Sequence, residues 1–132
     1  DVNVLLYLLF AANHLRQLER ADVARIDALV KSWRELAVVP LRTLRRRLKT
    51  GIEPIPAATS ESLRSAVKRI ELEAEKIEQE WLERQAPASS LGTPAVSRSV
   101  AARANLEAYA AHLNSLPAPP VETLLAAYAR ST

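Results

Sequence analysis

The feature that most constrains this chain is a repeat of apolar residues between positions 63 and 81. Successive members are four and three positions apart in turn, which is the spacing of a long helix that packs along one side. We therefore predict one long helix over about 60–85, central or at the edge of the fold, whose apolar side faces the protein's own core. The repeat consists of Leu63, Val67, Ile70, Ala74, Ile77 and Trp81.

The same helix carries acidic residues on both flanks of the repeat, and these bear on self-association. Two copies paired in parallel through the repeat would place like charges opposite each other, which is unfavourable. Parallel self-pairing is therefore disfavoured, although the sequence does not fix the oligomeric state. The acidic residues are Glu71, Glu73, Glu78 and Glu80.

The distribution of glycine and proline predicts an all-α fold. The chain has 2 glycines and 8 prolines, and the prolines cluster between the apolar periodic segments. Sheet proteins use more glycine in turns and more β-branched residues in strands. At 132 residues the chain is long enough for one core. We therefore predict a single helical domain over 1–132, a bundle of about six helices without a β-sheet.

Turn-forming residues set the expected limits of these helices. The segment 52–56 contains two prolines and cannot continue a helix. Residues 86–96 are rich in Pro, Ser and Gly, which predicts a flexible linker before a C-terminal helical pair at 97–131. The predicted helices span about 2–15, 23–37, 40–50, 60–85, 97–116 and 121–131.

The N-terminal helix is apolar nearly all round over residues 4–12. This run is shorter than the roughly 20 residues of a membrane span. A helix of this kind is typically buried, so we expect a central helix with Leu5, Leu8 and Leu9 in the core. The two tryptophans are also expected in the core. Because the sequence begins at Asp1 and contains no Met, we expect a processed N-terminus or a fragment.

The net charge of +3 conceals a separation of charge along the chain. Residues 42–49 carry five cations and no acid, and three more cations begin the long helix, whose second half is acidic. If helices 40–50 and 60–85 form an antiparallel hairpin, Arg45 lies opposite the Arg64 region and the cations form a binding patch. A slipped packing would instead pair the cations with the acidic half in internal salt bridges. The candidate partner- or anion-binding residues are Arg42, Arg45, Arg46, Lys49, Arg64 and Lys68.

Catalytic, metal and nucleotide motifs are not recognisable in the sequence. Glu71, Glu75 and Glu78 share a helical side, as in di-iron bundles, but neither histidine follows a Glu in the Glu-x-x-His pattern. The two glycines are isolated, so they form no phosphate loop. There is no Cys, hence no disulfide or thiolate site. His14 and His112 are expected to be capping or interface residues. We predict no catalytic residues, no metal site and no cofactor.

These observations favour a non-enzymatic helical adaptor whose basic patch docks an acidic partner protein. The alternative is direct binding of a polyanion, either nucleic acid or anionic lipid head groups, through the same patch. A pI of about 9.6 agrees with both. Nucleic acid is the less favoured partner, because no aromatic residue alternates with the cations and no helix-turn-helix spacing is present. The absence of cysteine is compatible with the cytoplasm, which is the expected location.

Three segments together resemble a family of small, uncharacterised, all-helical proteobacterial proteins. They are DVNVLLYLLF at 1–10, Trp33 with PLRTLRRRLK at 40–49, and ELEAEKIEQ at 71–79. The resemblance covers most of residues 1–113 and implies a further aromatic-rich N-terminal segment that this chain lacks. It implies no activity. It does draw attention to Asp1, Asn3 and the helix of residues 42–49, whose polar residues belong to the family's signature.

Overall fold

A computed structural model describes residues 1–114 and 118–131, and in helix 118–131 it leaves out the side chains of 118–121, 124 and 131. The predicted all-α fold is confirmed. A π-helical turn over Arg34–Val38 makes α2 and α3 continuous, so the described residues form five helical segments instead of about six. No described helix has both the length and the apolar character needed to cross a membrane. The α-helices are α1 (Val2–Asn13), α2 (Arg20–Trp33), α3 (Val39–Thr50), α4 (Glu61–Gln85), α5 (Arg98–Leu113) and α6 (Ala118–Ser131).

The chain divides into two compact units, and the expectation of a single domain stays a prediction. Unit 1 combines Asp1–Leu29 with Leu82–Thr132, and unit 2 is Val30–Trp81. The division falls inside α2 and α4. Unit 1 holds the core around α1 and α5, and unit 2 holds the hairpin of α3 and α4 that carries the charged residues.

The sequence predicted a break between the second and third helices because of Pro40, and this prediction was wrong. Proline lacks an N–H, and in a regular helix its ring presses on the carbonyl four residues earlier. In unit 2 the turn before Pro40 is π-helical, and the N–H of Val39 donates to the carbonyl of Arg34, five residues back. A widened turn of this kind accommodates the ring without ending the helix.

In unit 1, α1 is buried along one side only. Asp1 caps the helix as expected, since its Oδ1 accepts from the N–H of Asn3 at 2.7 Å. Leu8 is fully buried, but Leu5 and Leu9 are half-buried and Leu6 is 51% exposed. The expectation that all three core leucines are largely buried was therefore only partly right. Within unit 1, α1 packs mainly against α5. Its buried side consists of Asn3, Val4, Tyr7, Leu8, Ala11 and Ala12.

Asn105 of α5 is a polar residue at the centre of unit 1, and it is fully buried. Its Oδ1 accepts from the N–H of Leu18 at 2.7 Å. Its Nδ2 donates to the carbonyls of Leu8 and Arg16 at 2.9 and 3.1 Å. The side chain of Asn105 thus satisfies three backbone groups between Leu8 and Leu18. These hydrogen bonds hold the segment that follows α1 against α5.

Residues 86–96 were predicted to be a flexible linker, and the structure gives them defined contacts inside unit 1. A 3-10 helix spans Ala88–Ser90, and Leu91 is buried. The Arg16 guanidinium donates to the carbonyls of Leu91 and Gly92. Gly92 has φ +49°, and a Cβ there would lie 2.0 Å from the carbonyl oxygen of Gln17, so this position needs glycine.

A two-stranded β pairing accompanies these contacts, and it corrects the expectation of a fold without a sheet. Strand β1 (Arg16–Gln17) runs antiparallel to β2 (Thr93–Pro94). Each strand has only 2 residues. Alternating apolar residues, the usual strand signal, cannot be seen over so short a length.

The last two helices begin and end close to the predicted limits. Ser97 caps α5, its Oγ accepting from the N–H of Val100 at 3.2 Å. Asn114 follows α5 with φ +53°, a common way to end a helix. The predicted continuation of α5 to 116 lies outside the described residues. The last helix begins at Ala118, three residues before the predicted start at 121, so the expected break does not extend over 118–120. In α6, the Tyr128 hydroxyl donates to Oδ1 of Asn13 at 2.6 Å.

Helix α4 has the predicted length, but it is rotated from the predicted orientation. Val67 and Ala74 are buried as expected, whereas four other members of the apolar repeat are about half exposed. The prediction that the whole repeat faces the core was therefore wrong, and Trp33 is similarly exposed despite being predicted in the core. The buried positions of α4 in unit 2 include Glu71, which binds two arginines of α3. The exposed members are Leu63, Ile70, Ile77 and Trp81.

We predict that Leu8→Ala lowers the free energy of unfolding by about 2–5 kcal/mol, because it leaves a cavity in the core of unit 1. Leu6→Ala is the matched control on the same helix. It should change the free energy by no more than about 0.5 kcal/mol, as exposed substitutions usually do. Urea titration followed by circular dichroism measures both. Equal effects of the two substitutions would contradict the one-sided burial of α1.

We also predict that Asn105→Ala lowers the free energy of unfolding by about 2–4 kcal/mol. It removes the partner of three backbone groups, and an unsatisfied buried group costs about 1–3 kcal/mol. Amide exchange at Leu18 should accelerate, since this N–H loses its acceptor. Unchanged exchange at Leu18 would show that Asn105 does not hold this segment.

Candidate functional site

Helices α3 and α4 bring the candidate residues together within unit 2. Arg46 and Lys49 follow Arg42 by four and seven positions, so all three lie along one side of α3. Lys68 follows Arg64 by four positions on α4. We call the following set the basic face: Arg42, Arg45, Arg46 and Lys49 on α3, with Arg64 and Lys68 on α4.

The carboxylate of Glu71 binds two members of the basic face, Arg42 and Arg45. Glu71 is only 4% exposed. Arg45 donates to it twice, from Nε to Oε2 and from Nη2 to Oε1 at 3.2 Å. Arg42 donates from Nε to Oε1 of Glu71 at 3.2 Å and from Nη2 to Oε1 of Glu75 at 2.6 Å. Two arginines of α3 are therefore locked to two carboxylates of α4.

These contacts determine the charge states at the site. The hydrogen bond from Arg45 lowers the pKa of Glu71, and burial acts in the opposite direction. The hydrogen bond to Glu71 raises the pKa of Arg45, and the hydrogen bond to Glu75 does the same for Arg42. Glu71, Arg42 and Arg45 are consequently charged at neutral pH.

The structure combines features of the two packings that the sequence left open. The positive charges of Arg42 and Arg64 both act to lower the pKa of Arg45, so three guanidinium groups lie near one another. At the same time Arg42 and Arg45 form internal salt bridges with the acidic half of α4. Arg64 is bound by Glu61, with N–O distances of 2.6 and 2.8 Å.

The other half of the basic face is open to solvent. Arg46, Lys49 and Lys68 are exposed, and within residues 1–114 and 118–131 none of them has an ion-pair partner. The basic face therefore has three cations held by carboxylates beside three exposed cations. The sequence predicted these six residues as one set and could not distinguish these two groups.

The remaining polar candidates have structural contacts. Glu71 and Glu75, considered above as metal ligands, bind arginines. The described part of the chain contains no group of three or more His, Cys, Asp or Glu residues placed to hold a metal ion. His14 ends α1, with Nδ1 3.0 Å from the Phe10 carbonyl oxygen, as expected of a capping residue. His112 of α5 lies 3.0 Å from Oδ2 of Asp27 on α2, a pair that the sequence did not predict.

Comparison with known families identifies the group of proteins to which this sequence belongs. A family model described as "Protein of unknown function (DUF2390)" matches residues 1–82. The chain belongs to the DUF2390 family. The resemblance to an uncharacterised family is thereby confirmed, and the DUF2390 match includes the entire basic face and all three segments that carried the resemblance. No curated protein and no solved structure matches the chain.

We predict that Glu71→Gln lowers the free energy of unfolding by about 1–3 kcal/mol, the usual worth of hydrogen bonds to a charged partner. Glu35→Gln is the control, because Glu35 is an exposed acid in the same unit. It should change the free energy by no more than about 0.5 kcal/mol. Urea titration at neutral pH measures both. If Glu71→Gln behaved like its control, the buried carboxylate would not be holding α3 to α4.

The difference between wild type and Glu71→Gln should also depend on pH. A carboxyl whose pKa is lowered by folding stabilises the protein above its unfolded pKa, about 4.3 for Glu. That stabilisation is lost as the pH falls through the lower, folded pKa. The difference in unfolding free energy should therefore be constant near neutral pH and shrink in acid. A difference that grew in acid would contradict the direction of the Glu71 shift.

Proposed function

We propose that this DUF2390 chain is a non-enzymatic interaction protein whose basic face docks an acidic segment of a partner protein. The observation that carries the proposal is that α3 and α4 carry three exposed cations as well as two arginines fixed by Glu71 and Glu75. The proposal includes a cytoplasmic location, which cell fractionation tests.

The fixed arginines support the proposal because they are already oriented. The side chains of Arg42 and Arg45 are each 26% exposed. Each uses Nε and Nη2 on a carboxylate, and Nη1 of each makes no hydrogen bond to a described residue. An arginine held in this way loses little further side-chain entropy when it binds a second carboxylate. Guanidinium–carboxylate hydrogen bonds are also among the stronger polar contacts in proteins.

The charge of the basic face favours an acidic protein over a polyanion. Its six cations meet three carboxylates, those of Glu61, Glu71 and Glu75, which leaves three net positive charges. A nucleic-acid surface gains most of its affinity from many phosphate contacts. No aromatic residue belongs to the basic face to stack on bases. A short acidic segment requires fewer cations than a nucleic acid does.

The test changes the exposed cations and leaves the fixed ones in place. The variant combines Arg46→Gln, Lys49→Gln and Lys68→Gln. The control combines Arg20→Gln, Arg98→Gln and Arg130→Gln, which remove the same charge from exposed positions of unit 1. Tagged wild type, variant and control are incubated with native cell extract, with and without nuclease, and the captured proteins are quantified.

We predict that wild type and control capture one or more acidic proteins and that this capture persists after nuclease treatment. The basic-face variant should capture at least about tenfold less of the same proteins. All three proteins should melt at similar temperatures. Equal capture by variant and control would contradict the proposal. Capture that nuclease abolishes would favour the polyanion instead, and three phosphate contacts would then give a salt slope of about −3.

A further inference from the structure

A row of exposed apolar residues on α4 takes no part in the basic face. Leu63, Ile70 and Ile77 are 55%, 56% and 40% exposed. They are seven residues apart, so successive members are about 10.5 Å apart along the helix axis. We call these three residues the α4 stripe. Trp81 continues it by one turn and is 43% exposed.

The spacing of the α4 stripe is that of a helix–helix seam. A seven-residue repeat keeps apolar side chains on one line between two packed helices. Apolar residues gathered on one side of an exposed helix are a feature of interaction sites. The stripe therefore fits another helix better than a globular surface or a small molecule.

We propose that the occupant is α4 of a second copy of this chain, packed antiparallel with a two-fold axis at Ile70. The stripe is symmetric about this residue, with one apolar residue seven positions before it and one seven positions after it. Reversing the second helix therefore places Ile70 against its own copy. It also places Leu63 of each copy against Ile77 of the other, which gives two equivalent contacts. A self-complementary patch of this kind is what a two-fold dimer requires.

The charges beside the stripe favour the antiparallel direction. Arg69 and Glu73 lie on the same flank of the stripe, one residue before and three residues after Ile70. Both are exposed and make no ion pair within residues 1–114 and 118–131. In the antiparallel register, Arg69 lies about 3 Å along the axis from the second copy's Glu73. In a parallel pair, this flank would lie on the opposite side of the interface in the second copy, so Arg69 and Glu73 could not meet across it.

The first test compares two equal substitutions on the same helix. Leu72 is 55% exposed and lies on another side of α4, so Leu72→Glu is the matched control for Ile70→Glu. Sedimentation equilibrium of the full chain should give a dimer for wild type and Leu72→Glu. Ile70→Glu should be monomeric, because it places two carboxylates together at the axis. A monomeric wild type at high micromolar concentration would overturn the proposal, as would dimers of all three proteins.

Single introduced cysteines test the direction of the helices. The sequence contains no Cys, so any disulfide must form through the introduced residue. Under mild oxidation, Ile70→Cys should form a disulfide between copies, because the two positions meet at the axis. Ile77→Cys should not, because its two copies lie about 21 Å apart in this register. Cross-linking of both would indicate parallel helices, and cross-linking of neither would indicate no pairing here. Either outcome would overturn the proposal.

A charge exchange provides a test that leaves the apolar residues intact. Arg69→Glu and Glu73→Arg should each weaken dimerisation severalfold, because each places like charges together. The double variant should restore it to near the wild-type constant. Circular dichroism confirms that each variant is folded. A double variant no better than the singles would show that Arg69 and Glu73 do not meet across the interface.

Discussion

The ionised carboxylate of Glu71, buried between α3 and α4, sets the arrangement of unit 2. A buried charge is stable only with a charged, hydrogen-bonded partner, and Arg42 and Arg45 supply it. Because both arginines come from α3, Glu71 fixes the rotation of α4 against that helix. This rotation leaves Lys68, one turn before Glu71, exposed and turns Ile70 outward. The basic face and the α4 stripe are thus two consequences of one interaction.

Features that depend on neighbouring residues along the chain could be predicted from the sequence. The length of α4 follows from its periodicity, and Asp1 and Ser97 cap helices because short polar side chains accept from the N–H groups that follow. The six cations of the basic face were proposed as a set from their clustering along the chain, and their role stays a prediction. Pro40 lies in the first turn of α3 as predicted. The break expected before it was wrong, because a π-helical turn has no sequence pattern that distinguishes it from a break.

Features that depend on contacts between distant segments could not be predicted. Asn105 looks like any polar residue on a helix until the backbone of residues 8–18 is placed around it. Glu71 occupies a core-facing position between Val67 and Ala74, which was a usable signal. The sequence alone nevertheless fits the rotation that buries Ile70 equally well. Only the pairing with α3 decides between the two rotations, and with it which cations are fixed and which are exposed.

Zero-length carbodiimide cross-linking of the captured complex tests the central claim most directly, since it joins lysines only to carboxylates in contact with them. The chain has four lysines: Lys49 and Lys68 belong to the basic face, and Lys31 and Lys76 lie elsewhere. Docking through the basic face predicts cross-links from Lys49 and Lys68 to Asp or Glu of the partner. Cross-links confined to Lys31 and Lys76 would contradict it.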